Sequence, residues 1–277
     1  MITLTSYATE DFIPSQVAQA ESALHHGARR IAMWRPGDLR ATAFYARHRD
    51  ILDRPRGGGY WLWKPYIILV ELEKLQQGDV LIYSDCGKPD NPHTVSRPLT
   101  VLTDWCRDQR GGMLPGVYIP QYGRNAIWTK GECFTVMGCE ADSYRNHPQI
   151  QATFSVWEKH DRSMEFVREW LNWCTVPAAL LDDHIDPSIP DAPDFRQHRH
   201  DQSILTLLAL KHGLKCFGSP VEARHRSKKI DRLIDRIAGD KAVNSYAAKF
   251  PSLSLMNSAE RTSPEPDPKD HQQASGQ

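Results

Sequence analysis

Three groups of residues carry side chains that could do chemistry. The first is the run Arg56-Gly57-Gly58-Gly59-Tyr60-Trp61-Leu62-Trp63-Lys64-Pro65. Three glycines let the backbone pass close to a ligand, and the flanking Arg56 and Lys64 can hold phosphate oxygens. Tyr60, Trp61 and Trp63 offer flat faces to a base or a sugar ring, although a turn followed by core aromatics would use the same residues. The spacing is neither the Walker loop, which ends in Lys-Ser/Thr, nor the dinucleotide fingerprint, which follows the first strand directly. The second group is Tyr83-Ser84-Asp85-Cys86-Gly87, where a carboxylate at a strand end can ligate Mg²⁺ or Mn²⁺ beside substrate phosphate oxygens or serve as a turn residue. The third is Arg196-Gln197-His198-Arg199-His200-Asp201-Gln202-Ser203. Histidines this dense beside a carboxylate can bind metal or transfer protons. In the plainer reading they form a polar loop whose Asp201 caps the next helix. No tight His-x₃-His pair marks a zinc site.

The elements that must position these groups follow from patterning. Residues 2–6 form a short β-like run, a helical stretch around 16–26 ends at Gly27, and 30–34 read as a second strand. This β-α-β opening argues for an α/β fold with a parallel sheet. Pro65 suits a first helical turn and Ile68, Leu72 and Leu75 recur at helical spacing. After Gly78 the apolar run 80–83 reads as a strand buried on both faces, with Ser84 and Asp85 emerging at its carboxyl end, where open α/β sheets bind ligands.

Further along, 95–107 reads as helical and 117–119 as a strand. Thr129 to Glu132 matches a capping box opening a short helix to Gly138. Residues 150–156 alternate as a half-buried strand, and Asp161 is placed to cap a helix with stripe Met164, Val167, Leu171 and Cys174. Residues 176–196 are a long Pro/Asp-rich surface loop, 214–217 a strand, 224–250 a basic, partly helical segment, and 257–277 a disordered tail.

Composition excludes several classes. The 277 residues are 40% hydrophobic and 25% charged, with 34 basic and 34 acidic residues. That balance lacks the basic excess a nucleic-acid partner usually requires. Six cysteines without a Cys-x-x-Cys pair read as reduced, buried thiols. The first residues lack a basic segment leading into an apolar run, and no apolar stretch approaches the roughly 20 residues of a membrane span. A cytoplasmic protein is expected, with peripheral contact to anionic membrane open to the basic C-terminal segment.

Taken in order, the runs GGGYWLWKPYIILVELEKLQQGDVLIYSDCG, NAIWTKGECFTVMGC, PQIQATFSVWEK and RHDQSILTLLALKHGLKC resemble blocks of bacterial GT-A glycosyltransferases of the capsule and O-antigen type, over roughly residues 1 to 220. The resemblance implies one GT-A domain over 1–256, with a Rossmann-like, mostly parallel central sheet flanked by helices. Residues 1–120 would be its nucleotide-sugar half and 121–256 its acceptor-side half. It implies sugar transfer from a nucleoside-diphosphate sugar, UDP-linked, to a glycan or lipid-linked saccharide.

In that frame Asp85 matches the first carboxylate of an Asp-x-Asp motif holding Mn²⁺ or Mg²⁺ on the donor diphosphate. Gly87 stands where the second Asp would be, so His225 or His212 would complete the site. Without a metal, Arg56, Lys64 and the basic run 224–229 would carry the diphosphate charge. Tyr7 falls where such folds stack the nucleobase, with Ser84 and Gly87 beside the donor. Asp201 and Gln202 resemble the Asp-Gln pair beneath the donor sugar in retaining families, and Asp201 could equally be the base of an inverting enzyme. Thr129, Lys130, Gln149, Gln151 and His200 would border the donor sugar or acceptor. Two other classes share the fold features: a sugar-nucleotide or polysaccharide binding module without catalysis, and a sugar nucleotidyltransferase. The latter expects a Gly-rich, Arg-containing loop after the first strand, which Ser6-Tyr7-Ala8-Thr9 is not.

Overall fold

The computed structural model describes residues 1–108, 111–118, 122–214 and 217–218. Ile119, Cys216, the segment 224–250 with His225, and the tail 257–277 lie outside the described residues.

Five strands build the central sheet: β1 (Ile2–Tyr7), β2 (Arg30–Trp34), β3 (Val80–Ser84), β4 (Met113–Leu114) and β5 (Phe154–Glu158), in the order β2-β1-β3-β5-β4. β1 runs parallel to β2 and β3, while β5 is antiparallel to both β3 and β4. Four of the five strands therefore share one direction, the mostly parallel α/β arrangement expected. The strand order reverses between β1 and β3, which makes their carboxyl ends the edge where such sheets bind ligands. Strands from both sides of residue 120 share this sheet.

Helices cover both faces because β3 is apolar on both. Val80 and Ile82 pack on one side with Ile2, Leu4, Ala23 from α1 (Ile13–His25) and Trp105 from α3 (Thr100–Arg107). Leu81 and Tyr83 pack on the other with Ile68 and Leu72 from α2 (Trp63–Glu73), Trp170 from α4 (Asp161–Cys174) and Leu208 from α5 (Asp201–Lys211). α2 crosses back beneath the sheet before β3, so its N-terminal turn, which carries Lys64, lies near the carboxyl edge of β3.

Several local expectations change in three dimensions. The alternating run 150–156 is not one strand: Ile150–Gln151 pairs in a small separate sheet and β5 begins at Phe154. β5 is buried on both faces, with Phe154 and Val156 in the core on one side of the sheet and Trp157 in the core on the other, so its alternation carries no inside–outside information. The helix of 95–107 begins only at Thr100. Lys130, not Thr129, is the N-cap of the helix Gly131–Val136, because Thr129 donates to Asn125 Oδ1 (2.8 Å) and Glu132 accepts from the amides of Ile185 and Asp186. His160 rather than Asp161 caps α4, its Nδ1 accepting from the Arg162 amide. The five described cysteines are unpaired and buried. Among the described residues no helix is long and apolar enough to cross a membrane.

Candidate active site

Two carboxylates and one ammonium meet at the carboxyl edge of β3. Asp85 follows the strand, its amide donating to Thr153 O (2.9 Å), which seats it against the start of β5. Lys64, in the first turn of α2, points its Nζ to three acceptors: Ala152 O at 3.2 Å, Asp201 Oδ2 at 3.4 Å and Asp85 Oδ1 at 3.6 Å. Only Ala152 O accepts a hydrogen bond from the ammonium; the two carboxylates face it as ion pairs. Tyr83 adds its hydroxyl to Asp85 Oδ1. Lys64 and Asp201 are both only 3% exposed, whereas the Asp85 side chain is 33% exposed.

Burial and charge set the protonation of this group. Burial pushes the Asp201 carboxyl up to about 6, with Lys64 restraining the rise and Asp85 adding to it. Burial alone would lower Lys64, but the two carboxylates outweigh it and hold its ammonium above the usual range. Burial, then the Asp85 charge, raises the Tyr83 phenol well above its ordinary value, so it stays a donor. Asp201 was expected to cap α5. Instead His200 occupies the N-cap position without a side-chain cap, and Asp201 turns inward to Lys64, leaving Oδ2 without a hydrogen bond.

The turn that delivers Lys64 is left-handed. Gly57, Gly58, Gly59, Tyr60 and Trp61 have φ of 59°, 58°, 92°, 54° and 58°. L-residues in this region cost about 1–2 kcal/mol each, which explains three glycines and leaves two strained aromatics. The glycines are not equivalent. A Cβ at Gly59 would lie 2.5 Å from Leu52 Cα, while one at Gly58 would meet only Trp63 Nε1 at 3.6 Å. Gly59→Ala should therefore destabilise the fold by at least about 3 kcal/mol and Gly58→Ala by about 1 kcal/mol. Chemical denaturation measures both; equal losses would contradict this geometry.

The aromatics hold the frame. Tyr60 and Trp63 are buried, Trp63 stacks on Tyr7 (centroids 4.1 Å apart) and donates from Nε1 to Gly57 O (2.9 Å), and Trp61 stacks on His200 (5.6 Å). Tyr7 stands at the carboxyl end of β1, half-buried, with one ring face against Trp63. Burial pushes its phenol up to about 12. Arg56 pairs with Asp182 (2.9 Å), and Lys130 with Glu132 (3.0 Å) and Asp183 O (2.8 Å), so both cations are engaged by protein acceptors. Ser84 is buried, its hydroxyl donating to Asp85 O (3.0 Å).

Gln149 and Gln202 belong to a buried amide network. Gln149 Nε2 reaches Thr129 Oγ1 (3.0 Å) and Ser203 Oγ (3.1 Å), and Gln202 donates to Gln149 Oε1 (2.8 Å) while accepting from the Ala152 amide (3.3 Å). It ties the start of α5 to the residue whose carbonyl holds Lys64. Gln151 lies half-buried in the small sheet. Sequence reading did not single out Asp182 or Ala152, and it quoted Tyr83 beside Asp85 without giving it a role.

His198 accepts from the Lys130 amide at Nδ1 (3.3 Å) and so donates from Nε2 to Ala179 O (2.8 Å). His200 uses Nδ1 on Leu180 O (2.8 Å). Burial lowers His200 to about 3 and His198 well below its usual value. The unfolded chain therefore takes up these protons near pH 6.5 and the folded chain does not. Stability is full above that pH and falls as acid is added, by about 1.4 kcal/mol per pH unit for each histidine. Asp201, raised in the fold, opposes this between pH 6 and 4. Melting temperature should drop from pH 7 to 5, and His200→Gln should flatten the slope; an unchanged slope would show that His200 titrates freely.

A divalent cation can be tested against these residues. Gly87 has φ 76° and a Cβ there would lie 2.6 Å from Asn91 O, so the turn cannot accept a second carboxylate. His212 pairs with Glu169 (2.7 Å) at the far end of α5, about 15 Å from Asp201 at 1.5 Å per residue, and cannot join Asp85. No group of three metal-ligating side chains occurs among the described residues. What fits is a cation on Asp85 alone, whose Oδ1 faces Tyr83 and Lys64 and whose side chain is one-third exposed. Mg²⁺ or Mn²⁺ accepts a single protein carboxylate when phosphate and water complete its shell.

No protein-family model matches this chain, and no curated protein matches it. Among solved structures, apo mouse xyloside xylosyltransferase 1 is similar, with a TM-score of 0.40 and 9% identity over 77% of this chain and 83% of that one. Nothing about activity follows from so remote a likeness.

Proposed function

We propose that this protein is a glycosyltransferase that moves a sugar from a nucleoside-diphosphate donor, UDP-linked, to a hydroxyl of a saccharide or lipid-linked saccharide. The observation that carries the reading is the triad itself: two carboxylates joined by a buried ammonium at the sheet's switch point, one partly exposed and one buried with an oxygen that accepts no hydrogen bond. The ordered sequence blocks point the same way.

The two carboxylates have different tasks. Asp85 lies beside the diphosphate and would hold a divalent cation there, which when bound neutralises charge on the leaving group. Asp201, raised to about 6 and so largely ionised at neutral pH, accepts the proton of the attacking hydroxyl. As that oxygen bonds to the anomeric carbon, the bond to the diphosphate breaks and its electron pair leaves with the phosphate. Lys64 keeps both carboxylates aligned and stabilises Asp201 as an anion. With Asp201 ionised the triad sums to one negative charge, so it does not itself attract a diphosphate. That attraction would come from a divalent cation held by Asp85.

Release of nucleoside diphosphate from a panel of UDP-, GDP- and TDP-sugars, with and without Mn²⁺ and with added saccharide acceptors, tests the assignment. Turnover of at least one donor, dependent on Asp85, is the expected result. Tight glycan binding with no turnover of any donor would instead support a binding module.

A further inference from the structure

His200 is held more firmly than a spacer needs to be. Its backbone sits at φ 50°, ψ −120°, its Nδ1–H is given to Leu180 O, and its ring is packed by Trp61 (5.6 Å) and Tyr60 (4.8 Å). Trp61 in turn lies against Gly57, where an added Cβ would be 2.4 Å from its ring. All of this fixes one atom. With Nδ1 protonated, Nε2 is a bare acceptor; it is buried, has no hydrogen-bond partner, and faces Asp182 Oδ1 at 3.8 Å. A buried acceptor without a donor costs about 1–3 kcal/mol, and strained backbone costs a similar amount.

We infer that His200 Nε2 and Asp182 Oδ1 form a two-acceptor subsite that reads hydroxyl groups of the transferred or accepting sugar. This rests on the glycosyltransferase reading and extends it to a residue pair one step from the triad: His200 precedes Asp201, and Trp61 precedes Lys64 by three residues. The separation suits two donors, since a single O–H cannot point well at both of two acceptors 3.8 Å apart. Adjacent sugar hydroxyls divide the two acceptors between them. The ligand is neutral rather than an amine, because Arg56 already neutralises Asp182 at 2.9 Å and the Lys130 and Arg199 charges act on His200 as well. Asp182, 34% exposed, is the open side of the pair, while His200 is its buried wall.

Two measurements on the full chain test this. In long-range ¹H–¹⁵N spectra the Nε2 of His200 should resonate as a bare nitrogen. It should move to a hydrogen-bonded position with saturating UDP-glucose, UDP-galactose or UDP-N-acetylglucosamine, and not with UDP. Asp182→Asn should raise the Kd of the responding UDP-sugar about tenfold or more and leave that of UDP unchanged. A deoxy analogue lacking the hydroxyl that is read should bind the native protein about tenfold less tightly and the variant no worse.

The inference is overturned if Nε2 is already hydrogen-bonded in the free protein, by a water or a protonated Asp182 only. It is also overturned if Asp182→Asn leaves UDP-sugar binding unchanged while the native protein binds and turns it over; the transferase reading would then stand without it. If no nucleotide sugar binds, the transferase reading falls and free hexoses and oligosaccharides decide the subsite. A shift of His200 Nε2 with them keeps it, and its absence removes it.

Discussion

Asp85→Asn is expected to reduce transfer by about 10³-fold or more while the protein stays folded. The replacement keeps the shape and an oxygen that can accept from Tyr83, but removes the negative charge that would hold a cation against the leaving diphosphate, and that charge acts on the transition state directly. The stability effect is small for a different reason. Asp85 is one-third exposed and 3.6 Å from Lys64, and an ion pair so placed contributes about 1 kcal/mol or less once solvent screening is counted. Lys64 retains Asp201 and Ala152 O. Donor turnover and a thermal melt on the same preparation separate the two effects. Full activity in the variant would remove Asp85 from the site.

Lys64→Met should show the opposite pattern, a large stability loss together with lost activity. Methionine fills much the same volume, so the change is mainly electrostatic. It leaves Asp201 buried without its cation, and breaking a buried pair costs about 3–5 kcal/mol. The sign of the pH effect follows. Without the ammonium that restrains it, the Asp201 carboxyl rises above its present value of about 6, further from the unfolded value near 3.9. A folded-state rise means that the fold binds the proton more tightly than the unfolded chain does. The deficit of the variant should therefore be largest at pH 8 and shrink as pH falls toward 5. Adding Asp201→Asn to Lys64→Met should recover part of the loss. Urea unfolding at the two pH values measures this; a variant as stable as the native chain at pH 8 would mean that Lys64 and Asp201 do not interact in solution.

A large part of the architecture follows from local pattern. The apolar run at 80–83 must be a strand buried on both faces, and the helix beginning near Pro65 must lead into it. Gly27 ends α1 in the left-handed conformation that glycine allows, whereas α2 already ends at Glu73, before the left-handed turn at Gly78 that leads into β3. Those facts place Asp85 at a carboxyl edge before any coordinates exist. Chain patterning also singles out the segments that matter: 56–65 joins a glycine turn to ionisable residues, 83–87 joins a strand end to a carboxylate, and 196–203 sets histidines beside a carboxylate.

Tertiary structure alone decided what those residues do. Asp201, Asp161 and Thr129 each match a helix-cap pattern, yet none caps its helix, since a side chain follows the strongest partner in space and not the nearest amide in sequence. Lys64 and Arg56 look equally suited to phosphate, but one is buried between two carboxylates and the Ala152 carbonyl and the other is paired with Asp182 from a loop 126 residues away. Gly87 looks like a missing carboxylate, whereas the turn from Gly87 to Asn91 leaves no room for any side chain. Long-range contacts of this kind have no local signature, because the partner's position is fixed by how helices and strands pack. What the sequence by itself determined is that a carboxylate would stand at this sheet edge; only the packed structure decided that it shares a buried lysine with Asp201.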